Sequence, residues 1–588
     1  MINIKDHRQR DLFDSWSFLS PKRRKLLDQS WAGLFRRELL RELPIGSVAS
    51  FFSDDFGRPT KELHTMLGVL ILQQAYDLTD EETVNPLAFN IQWRDALNIT
   101  EETDSAKYIS LKTLWNIRNI VTENGLDTII FEGMTDKLAK VFEVEAAHQR
   151  LDSVHISSNM RRLGRIGIFS SGINKFLVHL KRGHPELFGT IADSIIGKYL
   201  SEESLPCFSM VKPSESAKTL KAVSVDLFGL VQQFEGFPEV GVMHSYQLLE
   251  RILKEQCVLS EDSQRVMVKK PKEIPSDSLQ NPSDPPACAV AAGRDATYRG
   301  HKGQGYQVQV METYDKDEDT KGESLNLITH IQVESAHKSD AHALIPAIES
   351  SKERGLAPKE LLADTLYGSD ENCQRAERLG VEVVSPAKGA GEKGEDSITL
   401  SDFEVSKKGD ILFCPRGHAP VKVKTKKTRH TAVFDSRSCS VCPSQANCQV
   451  KRGKRGYYLR YTDREMRLAR RRAYEQTEAF KGRYRFRSGV EATMSEYDRR
   501  TGVKHLRVRG FKAVRFCATL KAVGVNIFRA TAVRKAVNNG GTTYGKALPA
   551  LMHTICVLKE RFLIAQGQLK DILTIFGCRN GYTLIVAA

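Results

Sequence analysis

The stretch Leu361-Leu362-Ala363-Asp364-Thr365-Leu366-Tyr367-Gly368-Ser369 reads as a short apolar strand that ends on an acid and passes through a turn to a helix-starting serine. Far upstream, Leu151-Asp152-Ser153-Val154-His155-Ile156 also sets an acid among the apolar residues of a short strand. Between the two, Tyr306, Val308 and Val310 alternate with Gln307 and Gln309, and Leu327 to Val333 forms a second β-rich run, so an antiparallel pair is expected. Asp340 precedes a helical pattern of Leu344, Ala347 and Ile348; Ser369 opens another helix, and Val381, Val383 and Val384 form a further strand. The order is strand with acid, insert, strand, strand, helix, strand ending in acid, helix, strand, second insert, long helix. An α/β protein follows, its mixed sheet covered by helices on both faces.

With the two inserts removed, the order is that of a ribonuclease H-like core. Outward from it, residues from Phe18 to Val144 recur at helical spacing (Leu63, Met66, Leu67, Val69, Leu70 and Leu72, then Leu111, Leu114, Ile117, Ile120 and Val121). A second helical block runs from Asn174 to Leu259, with Val178, Leu180, Leu227, Val231, Leu248 and Ile252 expected in its core. The Pro-, Ser- and Asp-rich stretch Lys269 to Arg294 reads as a linker. The expected domains are a helical, DNA-binding N-terminal domain (1–148); a catalytic core from 149–160, 295–400 and 470–535; a helical insert and linker (161–294); a Cys-rich insert (401–469); and a C-terminal helical segment (536–588).

A chain of 588 residues exceeds what one hydrophobic core organises. Its 41% hydrophobic and 27% charged content is that of a globular protein. The formal charge of +15, concentrated between Lys451 and Arg529, attracts polyanions and points to nucleic acid, although ribosome or anionic-membrane binding reads similarly. A charged N-terminal decapeptide and the lack of an apolar run near membrane length imply a cytoplasmic protein with no membrane partner. Eleven cysteines, an odd number and mostly scattered, speak against a secreted disulfide framework.

Phosphodiester cleavage needs an activated water and charge compensation on the scissile phosphate, which two divalent cations about 3.5–4 Å apart provide. Hard cations take oxygen ligands, so carboxylates on converging strands are the residues to seek. Taken alone, Asp152 and Asp364 each read as surface or turn acids; the strands around them make them a pair. The third acid, Glu491, lies in Tyr484-Arg485-Phe486-Arg487-Ser488-Gly489-Val490-Glu491, where Tyr484, Arg487 and Glu491 share one helix face. On that face Glu491 can bind metal while Arg487 and Tyr484 hold a DNA phosphate. A competing reading makes Ser488-Gly-Val-Glu491 a capping box.

The segments around Asp152, Asp364 and Tyr484-x2-Arg487-x3-Glu491 together resemble bacterial insertion-sequence transposases of the DDE type carrying a Tyr-Arg-Glu-Lys signature. Phe51 to Leu97 is similar to the helical N-terminal domain of one branch of them. The resemblance implies metal-bound Asp152, Asp364 and Glu491, two Mg²⁺ or Mn²⁺ ions, and double-stranded DNA as partner. It also implies cleavage at terminal inverted repeats, joining of the 3′-OH to target DNA, a homodimer in the DNA complex and a nucleoid-associated location. The signature places Lys seven residues after the Glu; this chain has Asp498 there, and Arg499, Arg500 or Lys504 are the nearby substitutes. Pro285 to Arg294 interrupts a segment that is continuous in the family. Two rivals stay open: a ribonuclease H-like nuclease without strand transfer, and a catalytically inactive DNA-binding derivative.

Cys414, Cys439, Cys442 and Cys448 offer four thiolates in a β-rich, Lys-rich stretch, as a structural Zn²⁺ prefers, with His418 and His430 as alternative ligands and free thiols as the plainer reading. The same transposase branch carries a Cys-rich ribbon at this place. Arg464 to Arg472 and Arg499 to Arg515 are dense in cations; solvated helix faces explain most charge runs, but these flank Glu491 and suit a DNA-backbone track.

Overall fold

The computed structural model describes residues 1–7, 16–160, 163–200, 211–260, 265–275, 277–285, 288–289, 304–317, 322–387, 397–406, 408–454 and 456–538. It divides into two units, Met1–Thr531 and Ala532–Ala588. Of the second, the described residues are the end of one helix, so nearly all of the expected helical segment 536–588 lies outside the described residues, as does most of the Pro285 to Arg294 interruption.

The first unit contains the expected mixed α/β sheet. Strands β1 (His148–Ser157), β2 (Gln304–Thr313), β3 (Ile328–Ser335), β4 (Glu360–Ala363) and β5 (Glu382–Val384) lie in the order β3-β2-β1-β4-β5. The first three are antiparallel neighbours, whereas β4 pairs parallel with β1 and with β5. A two-residue strand, Cys288–Ala289, also pairs with β2. The alternation in β2 marks two buried faces and no solvated one: Gln307 and Gln309 are as inaccessible as Val308 and Val310. Burial is tolerated because both amides are satisfied, Gln309 by Asp340 and the Tyr367 hydroxyl, Gln307 by Glu334 and the Lys338 carbonyl.

In the helical N-terminal region, α1 (Leu63–Ala75) is apolar on nearly every side and lies buried, while α2 (Leu111–Glu123) and α3 (Leu126–Val141) each bury one stripe. Helices α4 (Arg165–Gly183), α5 (Ser216–Phe234) and α6 (His244–Gln256) between β1 and β2 form their own core around Phe169, Phe176, Leu227 and Ile252. Leu180 and Leu248 join it as expected, but Val178 is 40% exposed because it falls off the buried stripe. Helices α7 (Leu344–Glu353) and α8 (Asp370–Arg378) cover one sheet face through Leu344, Ile348 and Ala376, packed on Leu151, Met311 and Leu361. Ser369 caps α8, accepting from Asn372 N–H.

After β5, strands β6 (Lys422–Lys426), β7 (Arg429–Phe434), β8 (Lys451–Gly453) and β9 (Gly456–Thr462) make a separate antiparallel sheet in the order β6-β7-β9-β8. Helix α9 (Asp463–Glu475) follows, started by a capping box between Thr462 and Glu465. Helices α10 (Gly489–Thr501) and α11 (Phe511–Asn538) complete the described chain. By length and composition α11 could cross a bilayer, which the sequence reading did not anticipate; 83% of its apolar window is buried in the protein, as in a core helix. Within the first unit, Asn526 of α11 accepts from Ile328 N–H and donates to Ile328 C=O, satisfying the edge of β3.

Candidate active site

The register of β1 and β4 pairs Leu151 with Ala363, so Asp152 and Asp364 follow at matching positions on adjacent parallel strands. Paired residues share a face of the sheet, and neighbouring strands lie about 4.8 Å apart. Each acid folds back on its own turn: Asp152 Oδ1 accepts from Ser153 N–H at 2.9 Å and Asp364 Oδ1 from Thr365 N–H at 2.6 Å. Glu491 enters from the first turn of α10. Arg487 joins the two sides, donating to Asp152 Oδ2 at 2.8 Å and to Glu491 Oε1 at 3.0 Å.

The local geometry differs from one continuous helix. Tyr484 ends the helix Glu478–Tyr484, Arg485–Ser488 form a 3₁₀ turn, and α10 begins at Gly489. Arg487 and Glu491 remain on one face, and Tyr484 lies close enough to sense the charges of Arg487, Asp364 and Asp152. The capping-box alternative is not realised, because the Ser488 hydroxyl donates to Arg485 C=O and Glu491 turns to Arg487. Gly489 sits against the Arg150 guanidinium, which donates to Phe486 C=O; a Cβ at this position would lie 2.0 Å from Arg150 Nη1.

Burial pushes the Asp152 carboxyl above its ordinary value, and the negative charges of Asp364 and Glu491 push it further; Arg487 and the Ser153 N–H oppose them. This oxygen-only cluster has an excess of negative charge, and it opens to solvent at Glu491, whose side chain is 69% exposed. Its donor set fits a hard divalent cation.

A buried network missed by the sequence reading holds α10 on the sheet. Glu312 of β2 is inaccessible, and its carboxylate accepts from Arg150 Nε at 2.6 Å, Arg529 Nη1 at 2.8 Å and Thr493 Oγ1 at 2.7 and 2.8 Å. Thr493 stands two residues after Glu491. A lone acid at the end of the apolar run in β2 was the available signal.

The other expected DNA contacts are mixed. Arg499 is exposed and has no recorded partner among the described residues; Arg500 pairs with Glu496 and packs over Phe528. Lys504 Nζ lies 3.6 Å from Asp498, whose Oδ1 also accepts from Lys504 N–H, so the acid at the signature's Lys position shapes the turn after α10. Much of the basic run is engaged within the protein: Arg507 and Lys521 meet Asp77, Arg515 meets Asp127, and Lys512 meets Glu123, joining residues 507–521 to the helical N-terminal region. On α9, Arg467 pairs with Asp370 while Arg471 donates to Gly368 and Ser385 carbonyls.

A family model for "Transposase DDE domain" matches residues 413–531, and one for "Transposase domain (DUF772)" matches residues 26–119. The two domains support an insertion-sequence transposase of the DDE type. No curated protein matches it. The DDE match takes in Arg487, Glu491 and the four clustered cysteines, whereas Asp152 and Asp364 precede it. Transposase domains of this kind imply DNA as partner and use of divalent metal.

Cys414, Cys439, Cys442 and Cys448 line one small cavity together with His418. Burial and the three neighbouring thiols push the Cys439 thiol up to about 11. His430 is not part of this group: it stacks on Tyr461 and contacts Asp463 at 2.6 Å, so it is no alternative ligand here.

Proposed function

We propose that this transposase cleaves the ends of its own element and joins the freed 3′-OH to target DNA at a single site, with Asp152, Asp364 and Glu491 as its metal-holding carboxylates on a ribonuclease H-like core. The observation that carries the reading is the Arg487 bridge from Asp152 to Glu491, beside a neighbouring strand that Asp364 directly follows. Two Mg²⁺ or Mn²⁺ ions, when bound, supply charge compensation and water activation at the scissile phosphate. The chain's part is to set Asp152 and Asp364 at matching positions of neighbouring strands, to turn Glu491 toward Asp152 through Arg487, and to fix α10 through Glu312 and Thr493. Arg487 and Tyr484, with Arg499, Arg500 and Lys504 farther along, form the proposed backbone-phosphate contacts.

The four cysteines are assigned to a structural Zn²⁺; that all four line one small cavity supports sulfur coordination. Residues 1–148 are assigned to DNA binding, and the DNA complex is taken to be a homodimer. The inactive DNA-binding derivative is the rival that Asp498 favours, since it removes a cation from the signature.

A gel shift and an Mg²⁺-dependent cleavage assay on the same end DNA separate the readings. Glu491→Gln should abolish cleavage and leave binding nearly intact, because binding rests on many Lys and Arg contacts and weakens steeply with salt. Arg487→Ala should lower both. Cleavage that survives in Glu491→Gln removes Glu491 from the site; a parent protein that binds but never cleaves with any divalent metal is the inactive derivative; cleavage without end joining identifies the nuclease.

A further inference from the structure

His7, Glu62 and His64 lie together in the helical N-terminal region, far along the chain from Asp152, Asp364, Glu491 and the clustered cysteines, with one ligand atom from each within 4.8 Å of the others. Glu62 caps α1: Oε1 accepts from His64 N–H and Oε2 from Thr65 N–H. His64 Nδ1 is 2.9 Å from Glu62 Oε1, and His7 Nε2 is 3.6 Å from Glu62 Oε2, too far for a hydrogen bond. The His7 side chain is 3% exposed, and its Nε2 has no hydrogen-bond partner among the described residues.

Helix capping accounts for Glu62 but not for His7. A buried imidazole nitrogen aimed at a carboxylate and a second imidazole, and bonded to neither, is the geometry of a ligand set short of its ion. We propose that His7, Glu62 and His64 bind a divalent cation of borderline character such as Zn²⁺, two nitrogens and one oxygen leaving a fourth position for water. Nitrogen donors disfavour Mg²⁺ here. Glu62 Oε2 is the oxygen with coordination capacity left, since Oε1 also accepts from Lys5 N–H. Binding through His7 Nε2 puts the ring proton on Nδ1, which faces the Asn98 carboxamide at 3.2 Å; that group turned by half a rotation offers its oxygen as the supporting acceptor. The ion would fasten residues 1–7 to the start of α1, where Asn3 N–H already donates to the Thr60 hydroxyl and Asn3 C=O accepts from Leu63 N–H.

The test is zinc stoichiometry in the full-length chain after chelator treatment and equilibration with micromolar Zn²⁺. The wild type should hold one zinc per chain more than His7→Gln or His64→Gln, whatever the cysteines bind, because they are unchanged in all three. Circular dichroism establishes that each variant is folded. Equal zinc content in the wild type and both folded variants overturns the proposal. Should a variant not fold, zinc-edge anomalous scattering from wild-type crystals decides: a peak between the three side chains supports the site, and its absence at full occupancy of other zinc positions refutes it.

Discussion

Arg487 Nη2 meets Asp152 Oδ2 across 2.8 Å while its Nη1 meets Glu491 Oε1 across 3.0 Å, so one guanidinium ties the middle of β1 to the first turn of α10. Residues more than three hundred positions apart in the chain are thereby held in one charge cluster, and its balance can be tested.

The Asp152 carboxyl is raised by burial and by its acidic neighbours. A carboxyl with a higher proton affinity in the folded than in the unfolded chain favours folding below its unfolded value near 3.9, and loses that contribution as pH rises through the folded value. At neutral pH the metal-free protein therefore carries a penalty here. Asp152→Asn should abolish cleavage yet stabilise the metal-free protein at neutral pH, with the gain shrinking in acid. Denaturant titrations at several pH values check this; a variant less stable than the wild type at neutral pH contradicts it.

Glu312→Leu should destabilise by about 3–5 kcal/mol, since it leaves the partly buried Arg150 and Arg529 without their shared carboxylate. Glu312→Gln should cost less and still weaken cleavage, because Thr493 and with it Glu491 lose a fixed anchor. Urea midpoints and cleavage rates on the same samples are the readouts.

Two ion pairs to the helical N-terminal region should differ sharply. Asp127 is inaccessible and meets Arg515 at 2.9 Å; Asp127→Ala should cost about 3 kcal/mol or more. Arg507, 54% exposed, meets Asp77 at 3.1 Å; Arg507→Ala should cost less than about 1 kcal/mol. Thermal melts of both variants test the contrast, and similar losses would show that burial is not what decides it.

Cys442→Ser or Cys448→Ser should lower zinc content by one ion per chain and reduce the melting temperature, with chelator producing the same shift in the wild type. Unchanged zinc content in both variants would mean that these thiols hold none.

The sequence by itself determined the elements and their order. The acid-terminated strand Leu361 to Asp364, the period-two run of β2 and the helical runs of α1 and α2 were legible because they are local patterns of period two or 3.6, and Ser369 because a cap acts within its own turn. Tertiary structure decided the rest. Both faces of β2 are buried because helices cover the sheet twice, and alternation with glutamine gave no sign of it. Many arginines between Arg464 and Arg515 neutralise acids from distant segments, and charge density alone does not distinguish those from arginines left for DNA. The Glu312 network and the His7, Glu62 and His64 group assemble across long loops, so their partners cannot be found by spacing. Packing chooses which side chains meet, and it does so through burial, where an unpaired charge or polar atom is costly enough to fix its neighbours.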